Sequence, residues 1–182
     1  MAKYYFRLAL LVGSIIGFFW LIGSLLPRGY DFETEIDIVG PPEIIFPKLN
    51  TLKQWSTWSK QWNPKEIDSL QISYNDQPAG VGAGQTWSDI RGRGKLWITK
   101  SQPNDLIEYE MLYANFPKMT SRWRLNQTGT ITKLTWQSEG LLPGGPFYGY
   151  FGSFFSIQMK NQYDLSLQQL KELIESQRET EN

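Results

Sequence analysis

The chain of 182 residues balances 18 basic against 18 acidic side chains and contains no histidine and no cysteine. Those absences exclude disulfides, thiol nucleophiles, Cys/His zinc sites and histidine general bases, and the even charge argues against nucleic acid, which requires a basic surplus. Aromatic residues make up 15% of the chain and Trp alone numbers 8, so large apolar surfaces are expected, within a length that suits one domain plus an appendage.

The first element is an apolar run. Leu8 to Leu26 carries no charge over 19 residues. As a helix it spans about 28 Å, close to the hydrocarbon thickness of a bilayer. Tyr4, Tyr5, Trp20 and Tyr30 stand at or near its ends, where interfacial aromatics are favoured. The reading is a retained single-pass membrane anchor. A cleaved signal peptide competes, with Ile22-Gly23-Ser24 as its best cleavage site, but its apolar region would be shorter. Lys3 and Arg7 precede the run and Arg28 alone follows closely. The positive-inside rule therefore puts the N-terminus in the cytoplasm and the remainder outside it. Ala9, Gly13 and Gly17 repeat at four-residue spacing, a face on which two helices can approach and form a homodimer. Glycine is also simply common in membrane helices.

Residues 1–28 are thus anchor and linker, and 29–177 one domain with a frayed tail at 178–182. Tyr30 to Val39 alternates apolar residues with Asp31, Glu33, Glu35 and Asp37, the period of a half-buried strand. Gly40-Pro41-Pro42 stops it. Helices are expected over Glu43–Leu49 and Leu52–Trp62, the second capped by Asn50-Thr51. Leu70, Ile72 and Tyr74 begin a run of strands that continues with Gln85–Ile90, Lys95–Ser101, Leu106–Tyr113, Met119–Gln127 and Thr130–Ser138. The turns between them are short, so neighbours are antiparallel. After the breaker-rich Gly140–Pro146, Phe151, Phe155, Met159, Tyr163, Leu167, Leu170 and Ile174 recur at threes and fours. That stripe predicts a long amphipathic helix over Phe147–Gln177, which must cover one face of a sheet of six or seven strands.

In this order, the motifs resemble the START-like or SRPBCC superfamily, which includes Bet v 1-like, polyketide cyclase/dehydrase and lipid-transport proteins. The resemblance runs from about residue 31 to 176. It is carried by Ile36-Asp37-Ile38 with Gly40-Pro41-Pro42-Glu43 and Ile45-Phe46, and by Leu52-Lys53-Gln54-Trp55-Ser56-Thr57-Trp58. Gly80-Val81-Gly82-Ala83 with Trp87, Gly94-Lys95-Leu96-Trp97-Ile98, Pro103 with Ile107-Glu108-Tyr109, and Thr132-Lys133-Leu134-Thr135-Trp136 continue it. The resemblance implies an α+β helix-grip fold, a curved antiparallel sheet wrapped on the C-terminal helix. It also implies a cavity between the two that hosts an apolar ligand. The leading N-terminal anchor departs from the simplest soluble members.

Trp55, Trp58, Trp87, Trp97, Tyr109, Met111, Trp123, Trp136, Phe151, Phe155 and Met159 are the residues expected to line that cavity. A filled core would use the same residues. Trp55, Trp58 and Trp62 share one helical face, as a lid over the mouth or as ordinary packing. Alternation places Tyr109, Met111 and Tyr113 on one face of their strand and Met119, Ser121 and Trp123 on one face of theirs. Gly80–Gly84 lacks the lysine and serine of a phosphate loop and reads as a hairpin loop. Arg91, Arg93, Lys95 and Lys100, with Arg122 and Arg124, read as solvated hairpin faces rather than a headgroup site. Catalysis has little to use. Glu108 is the one weak candidate general base, yet its alternation with apolar residues turns it to water. No metal or cofactor is expected. The function read from these features is a membrane-anchored binder of a hydrophobic or lipid-like small molecule. A carboxylate/tyrosine cyclase or hydrolase and a non-ligand scaffold are the alternatives.

Overall fold

The computed structural model describes residues 2–90 and 92–181. It opens with helix α1 (Ala2–Leu25), strand β1 (Gly29–Val39) and helix α2 (Pro42–Asn50). A broken segment follows, in which the short helix α3 (Trp55–Trp58) is flanked by single 3-10 turns at Leu52–Gln54 and Lys60–Trp62. Six strands come next: β2 (Gln71–Tyr74), β3 (Gly84–Asp89), β4 (Gly92–Gln102), β5 (Leu106–Tyr113), β6 (Met119–Thr128) and β7 (Ile131–Leu141). Helix α4 (Pro146–Glu181) ends the chain. All seven strands join one sheet in the order β1-β7-β6-β5-β4-β3-β2, each pair antiparallel. This is the α+β helix-grip architecture.

The strand alternation sorts as expected. On β1, Tyr30, Phe32, Thr34 and Ile38 are buried, whereas Asp31, Glu33, Glu35 and Asp37 face water. The strand pairs along its whole length with β7, from Gly29 opposite Leu141 to Val39 opposite Ile131. Strand β7 starts at Ile131 and runs on past Ser138. Gly140 sits inside it because the Tyr30 ring lies where a Cβ would stand. The C-terminal half of α4 covers the sheet through Tyr163, Leu167, Leu170 and Ile174, all buried.

Two expectations are corrected. Leu52–Trp62 is not one helix. The indole N–H of Trp55 donates to Leu49 O at 2.8 Å and that of Trp58 to Lys48 O at 3.1 Å. Both bonds reach back to the last carbonyls of α2, groups that a helix leaves without internal partners. The segment therefore folds against α2 in short turns, and Thr51 is extended with no side-chain cap bond. Helix α4 continues past 178 to Glu181. Its last turns hold the end of β1, with Val39 N donating to Glu175 Oε1 at 2.9 Å and Arg178 Nη1 donating to Val39 O. Finally, Phe151 is 52% exposed and leaves the buried stripe. The first turns of α4 overrun the sheet and meet α1 instead. A Cβ at Gly149 would collide with Gly23 O and Leu26, and Tyr150 OH donates to Phe19 O at 2.7 Å.

Helix α1 is apolar enough over Lys3–Leu25 to cross a membrane, and almost all of it is exposed. A Cβ at Gly13 or Gly17 would meet nothing within 4 Å, so the Ala9–Gly13–Gly17 face is open. The tight helix crossing is at Gly23.

Candidate functional site

The inner face of the sheet divides into a filled half and a hollow half. In the filled half, Trp55 meets Tyr109 and Trp123 edge-on, at ring separations of 5.4 and 4.9 Å. Trp123 meets Trp136 at 5.1 Å, and Trp136 stacks on Tyr163 at 3.6 Å. Trp58 lies behind Trp123 at 6.4 Å. These rings fill space rather than line it.

The hollow half is a cavity of about 540 Å³, within the 300–1,000 Å³ range of small-molecule sites. Its wall is a relay of rings. Trp62 meets Trp87 edge-on at 4.8 Å, Trp87 stacks on Tyr113 at 6.0 Å, and Tyr113 lies 6.4 Å from Phe116. Phe116 then stacks on Phe155 at 6.0 Å, and Phe155 closes on Tyr30 at 4.9 Å. Met111, Met119 and Met159 fill the gaps between rings, where flexible thioethers tolerate varied ligand shapes. Trp87 can lie flat because its cross-strand partner is Gly94, whose missing Cβ leaves room for the indole. The polar lining sits mainly in the segment before β2 and on α4: Lys60, Gln61, Glu66 and Gln162, with Asp89 at the end of β3.

Beneath Met119 lies a buried polar cluster. Ser121 and Ser138 share a hydrogen bond, Ser138 donates to Tyr163 OH at 3.4 Å, and the Trp136 indole donates to Tyr109 OH at 3.2 Å. Burial pushes the Tyr109 and Tyr163 hydroxyls up from their ordinary value. Tyr30 at the cavity wall is also pushed up, first by burial and then by Tyr163. These phenols are neutral at physiological pH and serve as hydrogen-bonding groups, not as bases.

Among the residues expected to line a cavity, Trp87, Met111, Phe155 and Met159 do so. Trp55, Trp58, Tyr109, Trp123 and Trp136 are in the filled half, and Phe151 is on the outside of α4. Trp97 is opposite Glu110 on the outer sheet face, with Lys95 Nζ 5.3 Å from its ring centroid. Its neighbours Leu96 and Ile98 point inward instead. Glu108 is on the same outer face, and its Oε1 accepts from Arg122 Nε at 2.8 Å. It therefore cannot reach a ligand in the cavity. Arg91 lies outside the described residues. The Gly80–Gly84 loop is tied down by Asn75, which donates to Gly82 O and accepts from Gly84 N, and its Gly80 and Gly82 take positive φ.

The expected lining left out Tyr30, Tyr113, Phe116 and Met119, and named Trp62 only as part of a lid over the mouth. Strand alternation already carried Tyr113 and Met119. Phe116 sits in a loop with no period to reveal it.

A model of the polyketide cyclase/dehydrase and lipid transport family matches residues 30–175. The chain belongs to that family. No curated protein matches it. Among solved structures, TTHA0849 from Thermus thermophilus is 15% identical, with a TM-score of 0.60 over 80% of this chain and 97% of that one. Protein CV1439 from Chromobacterium violaceum is 17% identical, with a TM-score of 0.55 over 80% and 96%. The di-domain ARO/CYC StfQ from the steffimycin biosynthetic pathway is 13% identical, with a TM-score of 0.59 over 83% of this chain and 52% of that one. At these identities the likeness is one of fold, and chemistry varies widely on shared folds. The family's matched segment begins at Tyr30, so α1 lies before it.

Proposed function

We propose that the protein is a membrane-anchored binder of a hydrophobic or lipid-like small molecule, held between the sheet and α4. The observation that carries this reading is the ring-lined cavity of about 540 Å³. Moving a ligand's apolar surface from water into it gains roughly 25 cal/mol per Å². Lys60, Gln61 and Gln162 among the lining residues offer partners for the polar end of an amphipathic molecule. The family's lipid-transport members support the ligand class. The anchor reading is supported by the length, apolarity and exposure of α1. Lys3 and Arg7 ahead of it support a domain outside the cytoplasm.

Native mass spectrometry of the full chain, released from detergent micelles, tests the proposal. The wild type is expected to carry one lipid-sized adduct at near-stoichiometric occupancy. Met159→Trp, which replaces a thioether on the cavity wall by a bulkier indole, is expected to lose most of it while keeping its circular dichroism. A wild type that stays bare after exposure to cell lipid extract overturns the ligand reading.

A further inference from the structure

The structure holds a second apolar feature that the domain itself does not use. From Gly140 to Met159 the chain carries no charged residue. This stretch crosses from β7 into α4; Leu142 is buried and Tyr148, Phe155 and Met159 pack against the core, but other large side chains point outward. Phe147 is 75% exposed, and Leu141, Phe151 and Phe154 are each more than half exposed. An exposed aromatic stripe on an otherwise well-covered domain calls for a partner.

Its position relative to α1 identifies that partner. The backbone descends along α1 and then returns. Leu142 N donates to Arg28 O at 2.8 Å. Four residues later, Pro146 O abuts Gly23, and Gly149 fits against Gly23 and Leu26. By Gly152 the helix is level with Pro27 and Gly29 again. Further down α1, Tyr150 OH donates to Phe19 O. Phe19 precedes Leu26, the last residue of the apolar run, by seven residues. At about 1.5 Å per residue, that carbonyl lies about 10 Å below the end of the run. A bilayer that accommodates α1 therefore also covers whatever is docked at Gly23 and Phe19.

We infer that the loop and first turns of α4, residues 141–154, form a second membrane-contacting element: a wedge that sinks into the leaflet beside α1. It rests on α1 being a membrane span, as proposed above. A depth of about 5–10 Å is that of interfacial amphipathic segments. Tyrosine and phenylalanine suit that zone, and the first charge on the far side, Lys160, is on the part of α4 that covers the sheet. The cavity wall stands directly above the wedge. Tyr30 follows Gly29, and Phe155 comes one turn after Phe151 on the same helix. The wedge thus sets the Tyr30–Phe155 end of the cavity at the membrane surface, where a lipid enters without crossing bulk water.

The chain has no cysteine, so single labels are simple to place. Phe147→Cys and Phe151→Cys report the wedge, Ile16→Cys the span, and Gln168→Cys the exposed face of α4. Each full-length variant carries an environment-sensitive fluorophore and is reconstituted in phosphatidylcholine vesicles containing spin-labelled lipid. Expected are quenching by the lipid at 147 and 151 comparable to that at 16, and protection from aqueous iodide. Position 168 is expected to show the reverse. Quenching at 16 alone, with 147 and 151 open to iodide, overturns the wedge and leaves the anchor standing. Labels at 147 and 151 shielded from both quenchers also overturn it, in favour of a protein contact. A position 16 that is itself open to iodide overturns both readings.

Discussion

Truncating two tryptophans separates the filled half of the domain from the hollow half. Trp136 is 1% exposed, stacks on Tyr163 at 3.6 Å, touches Trp123 and donates its N–H to Tyr109. Trp136→Ala removes a ring enclosed on all sides and strands a polar network, so its cost belongs at the upper end of the about 3–5 kcal/mol range for such truncations. Trp87 is 8% exposed, has two ring neighbours, Trp62 and Tyr113, and lies over Gly94, but it also borders the cavity. Atoms that border the cavity have fewer partners to lose. Its cost therefore belongs at the lower end, about 1–2 kcal/mol less than that of Trp136→Ala. Urea unfolding of delipidated full-length protein in detergent, followed by far-UV circular dichroism, measures both. Lipid added back is expected to raise the stability of the wild type and Trp136→Ala by mass action, and that of Trp87→Ala least. Equal costs, or a larger cost at Trp87, would show that the space beside Trp87 is not hollow and refute the division.

Three further outcomes follow from particular residues. Gln85 is 2% exposed on the inner face of β3 and neither end of its amide has a hydrogen-bond partner. Gln85→Met is therefore expected to raise stability by about 1–2 kcal/mol in the same denaturation assay, and a loss of stability would reveal a partner for the amide. Burial raises the Tyr109 and Tyr163 hydroxyls above their unfolded value, so the folded state keeps protons that the unfolded state gives up. Their contribution is fully present below pH 10 and falls as pH rises above it, each with a slope of about 1.4 kcal/mol per pH unit. Tyr163→Phe should flatten the alkaline decline, and an unchanged slope would count against the burial argument. Gly149→Leu sets a side chain against Gly23 O and Leu26. Spin labels at Phe18→Cys and Phe151→Cys are then expected to separate and broaden in distance while the domain's unfolding midpoint stays put. An unchanged distance would mean that the Gly23–Gly149 contact does not hold the helices together.

Much of the fold is legible because its signals are local. The β1 alternation, the β5 limits at Leu106 and Tyr113, and the heptad-like burial of α4 from Tyr163 to Ile174 all follow from side-chain period. What the period cannot show is which partner a buried ring meets. Trp87 and Trp136 have the same strand pattern, yet one faces a cavity and the other a stacked tyrosine. That difference depends on where α4 crosses the sheet, a non-local fact. Trp97 shows a second limit. It carries an apolar ring on the outer face, where the Lys95 ammonium and the sheet surface shelter it, so ring type alone placed it wrongly. The break at α3 was illegible for a third reason. The helical spacing of Trp55, Trp58 and Trp62 is real, but two indole N–H groups cap α2 and hold the segment back from a continuous helix. The family likeness supplied the existence of a cavity and no residue of its wall.

The path of α4 accounts for both the cavity and the docking of α1. Were its apolar stripe to lie flat on the sheet throughout, Phe151, Phe155 and Met159 would bury as Tyr163 and Leu167 do. Instead Tyr163 onward is pinned, and the end of β1 is tied to Glu175 and Arg178. The opposite end is held by Gly149 and Tyr150 against α1. Between these two attachments Phe155 and Met159 are only partly buried: Phe155 meets Tyr30 of β1 at 4.9 Å, and both residues line the cavity together with Met111 and Met119. A glycine at 149 thus matters to the cavity although it lines none of it: any larger residue there shifts the lifted end of the helix.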